Sequence, residues 1–370
     1  MWYVPQILSS LQHFQPDKAK EAGMSIERKA FGSIDGQAVE SYALEAGVLR
    51  ARIITYGAIL SELHIPDRSG RSADIVLGYD DLDSYLRFRG SAGAICGRYA
   101  NRIADARLTI DGEDFELSPN EPPNHLHGGY KGFGKRIWNA EPDSAGRALQ
   151  LTLHRPDGDE GYPGGVTATV TYRLLDDPAL EIVMEATTDR PTVMNLAYHG
   201  YWNLAGHGSG HVRDQLLALE ADRYTPVGQG KIPTGILAPV AGTAFDFRQE
   251  RPIGAFMDDR AQLPEGGYDH NFCLNGAAGT LRRAARAVDP VSGRALEIWT
   301  DQPGVQLYTA NHFEALPAVG KGGVPYGKHA GFALETQNYP NSPNVPHFPS
   351  ALLRPGEVYR HVMRVPFRLA

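Results

Sequence analysis

Five short clusters carry the residues capable of chemistry: GRYANRI at 97–103, PNHLHGG at 123–129, AYHGYWNLAG at 197–206, GYDHNF at 267–272 and GFALETQNYPNSPN at 331–344. In the last, an apolar run, Phe332-Ala333-Leu334, ends on Glu335 and is followed by Thr336, Gln337 and Asn338. An acid at the mouth of a buried strand is either a strand-end surface charge or the centre of a site. His199 stands among Tyr198, Tyr201 and Trp202. Such a His is either a satisfied core residue or a catalytic one, and aromatic rings beside polar groups also suit sugars, which present apolar C–H faces and a rim of hydroxyls. His125 and His127 are two apart and on a strand would share one face, where they could hold a metal. A zinc site wants three or four ligands, however, and no Cys or HExxH pattern supplies the others. A hydrogen-bonding His in a pocket is the better reading, because Gly128-Gly129 allows close backbone approach. Asp269 by itself reads as an Asx-turn residue, and Arg102 as a surface charge on a buried stem.

The elements that must position these residues are strands. The 370 residues include 41 Gly and 26 Pro, set between short alternating runs, the mark of many turns joining many strands. In ARLTIDGEDFEL (106–117), Leu108 and Ile110 alternate before Asp111-Gly112, and Phe115 and Leu117 after it; the Asp-Gly pair predicts a type I′ hairpin. Further strands are predicted at 167–175, 179–188, 294–300, 304–311 and 358–369, all rich in residues that favour a pleated surface. One short helix is expected near Asp81–Leu86, capped by Asp80 or Asp81. The expected fold is all-β: one large antiparallel twisted β-sandwich over residues 24–370, preceded by an extension at 1–23.

Composition excludes several classes. Apolar residues make up 42% and charged residues 21%, ordinary for a chain with a real core. A net charge of -7 without a Lys/Arg run argues against nucleic acid. No apolar stretch is long enough for a membrane span, and the N-terminus does not read as a signal peptide. Two cysteines, Cys96 and Cys273, rule out a disulfide framework and fit a reducing, cytoplasmic setting. No GxGxxG, GxxxxGK[ST] or GxSxG is present, so no cofactor is expected.

In this order, the clusters, together with EGYPG at 160–164 and the closing FPSALLRPGEVYRH at 348–361, resemble the aldose 1-epimerase (galactose mutarotase) family from about residue 28 to 368. The resemblance implies a supersandwich with a sugar cleft on one sheet. It also implies that a free monosaccharide is the partner; no metal is expected, for the want of ligands noted above. Glu335 matches the family's base, His199 its acid, and His127 a second His near the ring oxygen. Arg102 and Asp269 match groups that hold sugar hydroxyls, and Asn101 and Gln337 stand beside them as further binding candidates. Where the family often has Ser and Phe after the acid His, this chain has Gly200, Tyr201 and Trp202, which bears on sugar preference. The implied reaction opens the ring, rotates about C1–C2 and recloses it, with base and acid on opposite sides of the C1–O5 unit. At ordinary pKa values, near 4.3 for Glu and 6.5 for His, the two groups start close to the states this needs; burial would raise Glu335. Competing expectations are glycoside hydrolysis by Asp269 and Glu335, a non-catalytic carbohydrate-binding module, and a hexose-6-phosphate 1-epimerase. A monomer or weak homodimer is expected.

Overall fold

The computed structural model describes residues 26–87, 90–143, 146–313 and 319–370; the extension expected at 1–23 lies outside them. Pairings between strands are antiparallel throughout these residues. A nine-stranded sheet, a six-stranded sheet and a five-stranded sheet dominate. The large sheet runs in spatial order Asn139–Pro142, Ala148–Arg155, Val166–Leu175, Ala179–Thr188, Tyr359–Leu369, Arg294–Thr300, Arg282–Val288, Leu216–Leu219, Arg251–Pro252. The six-stranded sheet runs Tyr201–Trp202, Phe332–Gln337, Gly304–Tyr308, Asp269–Cys273, Arg223–Tyr224, Ala238–Pro239.

Strict alternation drives the assembly. Val166–Leu175 buries every second residue, so one face of that strand enters the core and the other meets solvent. Val170 and Tyr172 from the large sheet join Phe272, Val305, Leu307 and Leu334 from the six-stranded sheet in one apolar cluster. The Asp-Gly hairpin forms as expected: Arg107–Ile110 pairs with Glu113–Glu116, and Asp111 and Gly112 take φ 52° and 83°. The single α-helix among the described residues is Leu82–Arg87, and Asp81 Oδ1 accepts the Ser84 N–H at 2.8 Å. The strand expected at 304–311 stops at Tyr308. Beyond it Ala310 takes φ 49°, and the Thr309 and Asn311 side chains bond back to the Tyr268 backbone.

Candidate active site

Register places the chemistry. In the six-stranded sheet Glu335 lies opposite Gln306, which lies opposite Asn271; the next row is Tyr201, Ala333, Tyr308 and Asp269. Opposed residues share a face, so Glu335, Gln306, Asn271, Tyr308, Asp269 and Tyr201 form one surface. The intervening Trp202, Leu334, Leu307 and Phe272 enter the core. Of this face, Glu335, Tyr308, Asp269 and Tyr201 line a cleft of about 260 Å³, and Gln306 and Asn271 are buried beside it. Asn101, Arg102, Glu121, His127, His199 and Lys231 form part of its walls.

The cleft brings His199 and Glu335 together: Nε2 and Oε1 are 3.6 Å apart, and both side chains are buried. The two groups are neighbours rather than facing each other across a gap, because Ala197–His199 packs alongside Phe332–Gln337. His127 joins them, its ring centroid 5.2 Å from that of His199. The Asn101 N–H donates to His127 Nδ1 at 3.1 Å, and the His127 N–H donates to the Asn101 carbonyl. His125 and His127 do not share a face. His127 leaves the strand with φ 50°, while His125 is buried, donating from Nδ1 to Ser118 O and accepting from the Tyr162 hydroxyl. Gly128 permits this turn: at φ 83°, a Cβ there would lie 1.8 Å from Gly97 O.

His127, His199 and Glu335 place three potential ligand atoms within 4.8 Å of one another. The tautomer does not suit a metal. His127 Nδ1 accepts a hydrogen bond, so the neutral ring carries its proton on Nε2, whereas a metal-bound His donates through its other nitrogen.

Burial disfavours charge on both members of the pair. It holds His199 down at about 4, and it raises Glu335 well above the carboxylate range, an effect increased by Asp269 and opposed by Arg102. The upward shift expected for a desolvated Glu335 is present, and His199 departs from its ordinary value in the opposite direction, both because burial penalises charge. Asp269 behaves oppositely: burial pushes it up, but Arg102 and Lys231 outweigh this and hold it at about 2. Its Oδ1 accepts from Gln306 at 2.7 Å and its Oδ2 from Lys231 at 3.0 Å. Arg102 is buried rather than a surface charge and grips Glu121 through two hydrogen bonds of 2.6 and 2.8 Å. Gln337 is wholly buried and absent from the cleft lining; on the same face as Glu335, its amide reaches Asn271 and Gln306 from beside the cleft.

Sequence reasoning missed Lys231, Gln306, Glu121 and Tyr308. Gln306 carried a signal, a polar residue flanked by Val305 and Leu307 in a strand; Lys231 carried none, since the fold of a distant loop delivers it. Asn101, His127 and Lys231 all have left-handed φ, at 64°, 50° and 58°, strain that persists where surroundings over-determine the backbone. Gly200 is explained by packing: a Cβ there would lie 2.2 Å from the Tyr198 ring. Tyr201 lines the cleft, while Trp202 belongs to the core.

An antiparallel supersandwich with a polar cleft on one sheet, a carboxyl–imidazole pair on its floor and Arg102, Asp269 and Lys231 around it has the architecture of a sugar-handling protein. The chain belongs to the aldose 1-epimerase family, whose model matches residues 40–365. It is 43% identical over 348 residues to galactose mutarotase of Homo sapiens, covering 94% of this chain and 99% of that protein. It is 38% identical to aldose 1-epimerase of Escherichia coli (strain K12), covering 90% of this chain and 96% of the relative. Among solved structures, galactose 1-epimerase from Lactobacillus acidophilus NCFM superposes with TM-score 0.82 at 28% identity, over 94% of this chain and 99% of the other. An aldose epimerase homologue from C. elegans gives TM-score 0.79 at 32% identity, over 89% and 98%.

Proposed function

We propose that this chain is an aldose 1-epimerase that interconverts the α and β anomers of free aldoses, with residues 24–370 acting as one unit. The observation that carries the reading is the 3.6 Å approach of His199 Nε2 to Glu335 Oε1 on the cleft floor. A hemiacetal bears its hydroxyl and its ring oxygen on one carbon, so a base and an acid that serve both must be close neighbours. Glu335 takes the proton from the C1 hydroxyl as His199 gives one to the ring oxygen. The C1–O5 bond breaks, C1–C2 rotates, and the protons return on closure. His199 gives the proton as imidazolium, a form that Asp269 favours against the cost of burial, and is left as neutral imidazole until the proton returns. His127, with its proton on Nε2, supplies a hydrogen bond at the ring oxygen. Asp269 accepts from sugar hydroxyls; Arg102 and Asn101 donate. Gln337 is better assigned to supporting Gln306 than to touching sugar. Two such groups contribute about 10² to 10⁴ each, enough for a reaction that water already permits.

The charge pattern favours a neutral sugar over a hexose 6-phosphate. Arg102 is neutralised by Glu121, and Lys231 by Glu265 and Asp269, so a phosphate would meet carboxylates rather than unpaired cations. Against glycoside hydrolysis, each Asp269 oxygen already takes one protein donor, from Gln306 and from Lys231, which suits the carboxylate to fixing hydroxyls rather than to attacking carbon. Among the described residues no helix is long and apolar enough to cross a membrane. A cytoplasmic location accords with two free, buried cysteines, and a monomer or weak homodimer remains our reading.

Polarimetry of freshly dissolved α-D-galactose and α-D-glucose tests the assignment. Glu335→Gln keeps the shape and removes the base, and the catalysed rate should fall at least about a hundredfold. Near-normal rates would remove Glu335 from the mechanism. A wild-type chain that binds sugar without speeding mutarotation would favour the binding-module reading.

A further inference from the structure

The closing motif FPSALLRPGEVYRH contributes nothing to the cleft, yet its last residue reaches directly behind it. His361 lies on Tyr359–Leu369, near the middle of the nine-stranded sheet, and is fully buried. Its ring crosses the core to the six-stranded sheet. Thr336 is a polar side chain on the otherwise apolar core face of the strand that carries Glu335, and its Oγ1 lies 2.8 Å from His361 Nε2. On the other side of the ring, His361 Nδ1 is 3.0 Å from the Leu196 carbonyl. A carbonyl only accepts, so Nδ1 carries the proton and Nε2 accepts from the Thr336 hydroxyl.

One imidazole thus joins the residue next to Glu335 to a residue three before His199. Neighbouring bonds act on the same two segments. The Leu196 N–H donates to the Tyr359 hydroxyl at 3.0 Å, and the Asn338 N–H donates to Asn195 Oδ1 at 2.8 Å. A hydrophobic pair at 336 and 361 would fill the same core without fixing how the two segments slide. Directional bonds fix that offset, and satisfied buried polar networks are rigid for this reason.

We propose that His361 is a positioning residue that sets the separation of Glu335 and His199 from behind, through Thr336 and Leu196. This rests on the aldose 1-epimerase reading and deepens it. His361 touches neither sugar nor reacting atoms, so its removal should lower turnover and leave sugar affinity nearly unchanged. Misplacement of a reacting group by about 1 Å costs on the order of a hundredfold.

The test uses the full chain and its variants Thr336→Val, Thr336→Ser, His361→Asn and Thr336→Val/His361→Asn. Mutarotation is followed by polarimetry over a range of α-D-galactose concentrations, and the folded fraction by circular dichroism. Thr336→Val, which keeps the branched shape, should lower kcat between about tenfold and a hundredfold with KM within about twofold. Thr336→Ser restores the hydroxyl and should recover most of that loss. The double variant should be no slower than His361→Asn alone, because both changes remove the same bond. Unchanged kcat in Thr336→Val, no recovery with Ser, multiplying losses in the double variant, or a kcat loss that merely follows the unfolded fraction would each overturn the inference. A wild type without mutarotation would sink the underlying reading, and the inference with it. An active wild type with an unaffected Val variant would sink the inference alone.

Discussion

Glu335 and His199 are tuned in opposite directions by one cause, removal from water. The sign of the pH dependence follows. In the proposed mechanism Glu335 acts as base only when ionised, and its raised pKa keeps it protonated to higher pH than an ordinary carboxylate. The value of kcat/KM should therefore rise with pH through a midpoint above about 4.3, and a pH–rate profile by polarimetry checks it. A midpoint at or below the ordinary value would mean that water reaches the carboxylate. His199→Asn should depress kcat more than it raises KM, since the imidazole is spent on the proton and not on holding hydroxyls; a change confined to KM would reassign it to binding. Glu335 was legible because a carboxylate interrupts an apolar strand. The pairing of Arg102 with Glu121 was not, because two residues 19 apart meet only when strands Arg102–Ile103 and His125–Leu126 pair.

At the scale of elements, the strand of Glu335 is buried on both faces and alternates between them: Ala333, Glu335 and Gln337 towards the polar side, Leu334 and Thr336 towards the core. The same period of two runs through Asp269-His270-Asn271 and Val305-Gln306-Leu307, so the polar floor was latent in the sequence. What alternation omits is which strands lie side by side. Gly200 shows how tightly the turn after His199 is set, since the Tyr198 ring occupies the space a Cβ would need. Gly200→Ala should cost about 1–3 kcal/mol from overpacking, seen as a lower melting temperature. An unchanged melt would mean that the ring moves aside freely.

Over the whole molecule, buried ion pairs lock distant segments together. Lys321 donates to Asp74 and to the carbonyls of Ser61 and Val76, bringing the loop before the strand of Glu335 onto the five-stranded sheet. Lys321→Met would leave the Asp74 charge buried without its partner and should destabilise the fold by about 3–5 kcal/mol, read from urea denaturation; a loss below about 1 kcal/mol would place Asp74 in contact with water. The sequence by itself determined the all-β class, the hairpin turns, the alternation of the site strands and, through ordered motifs, the family. Those features are local, set by side-chain period and turn chemistry. Only the tertiary structure decided that His127 turns into the cleft while His125 turns away, that Lys231 arrives beside Asp269, and that Gln337 is covered beside the cleft rather than lining it. It also made Glu335 and His199 neighbours, both stripped of water. Such outcomes depend on register between remote strands and on desolvation, and neither is written into any short stretch of chain.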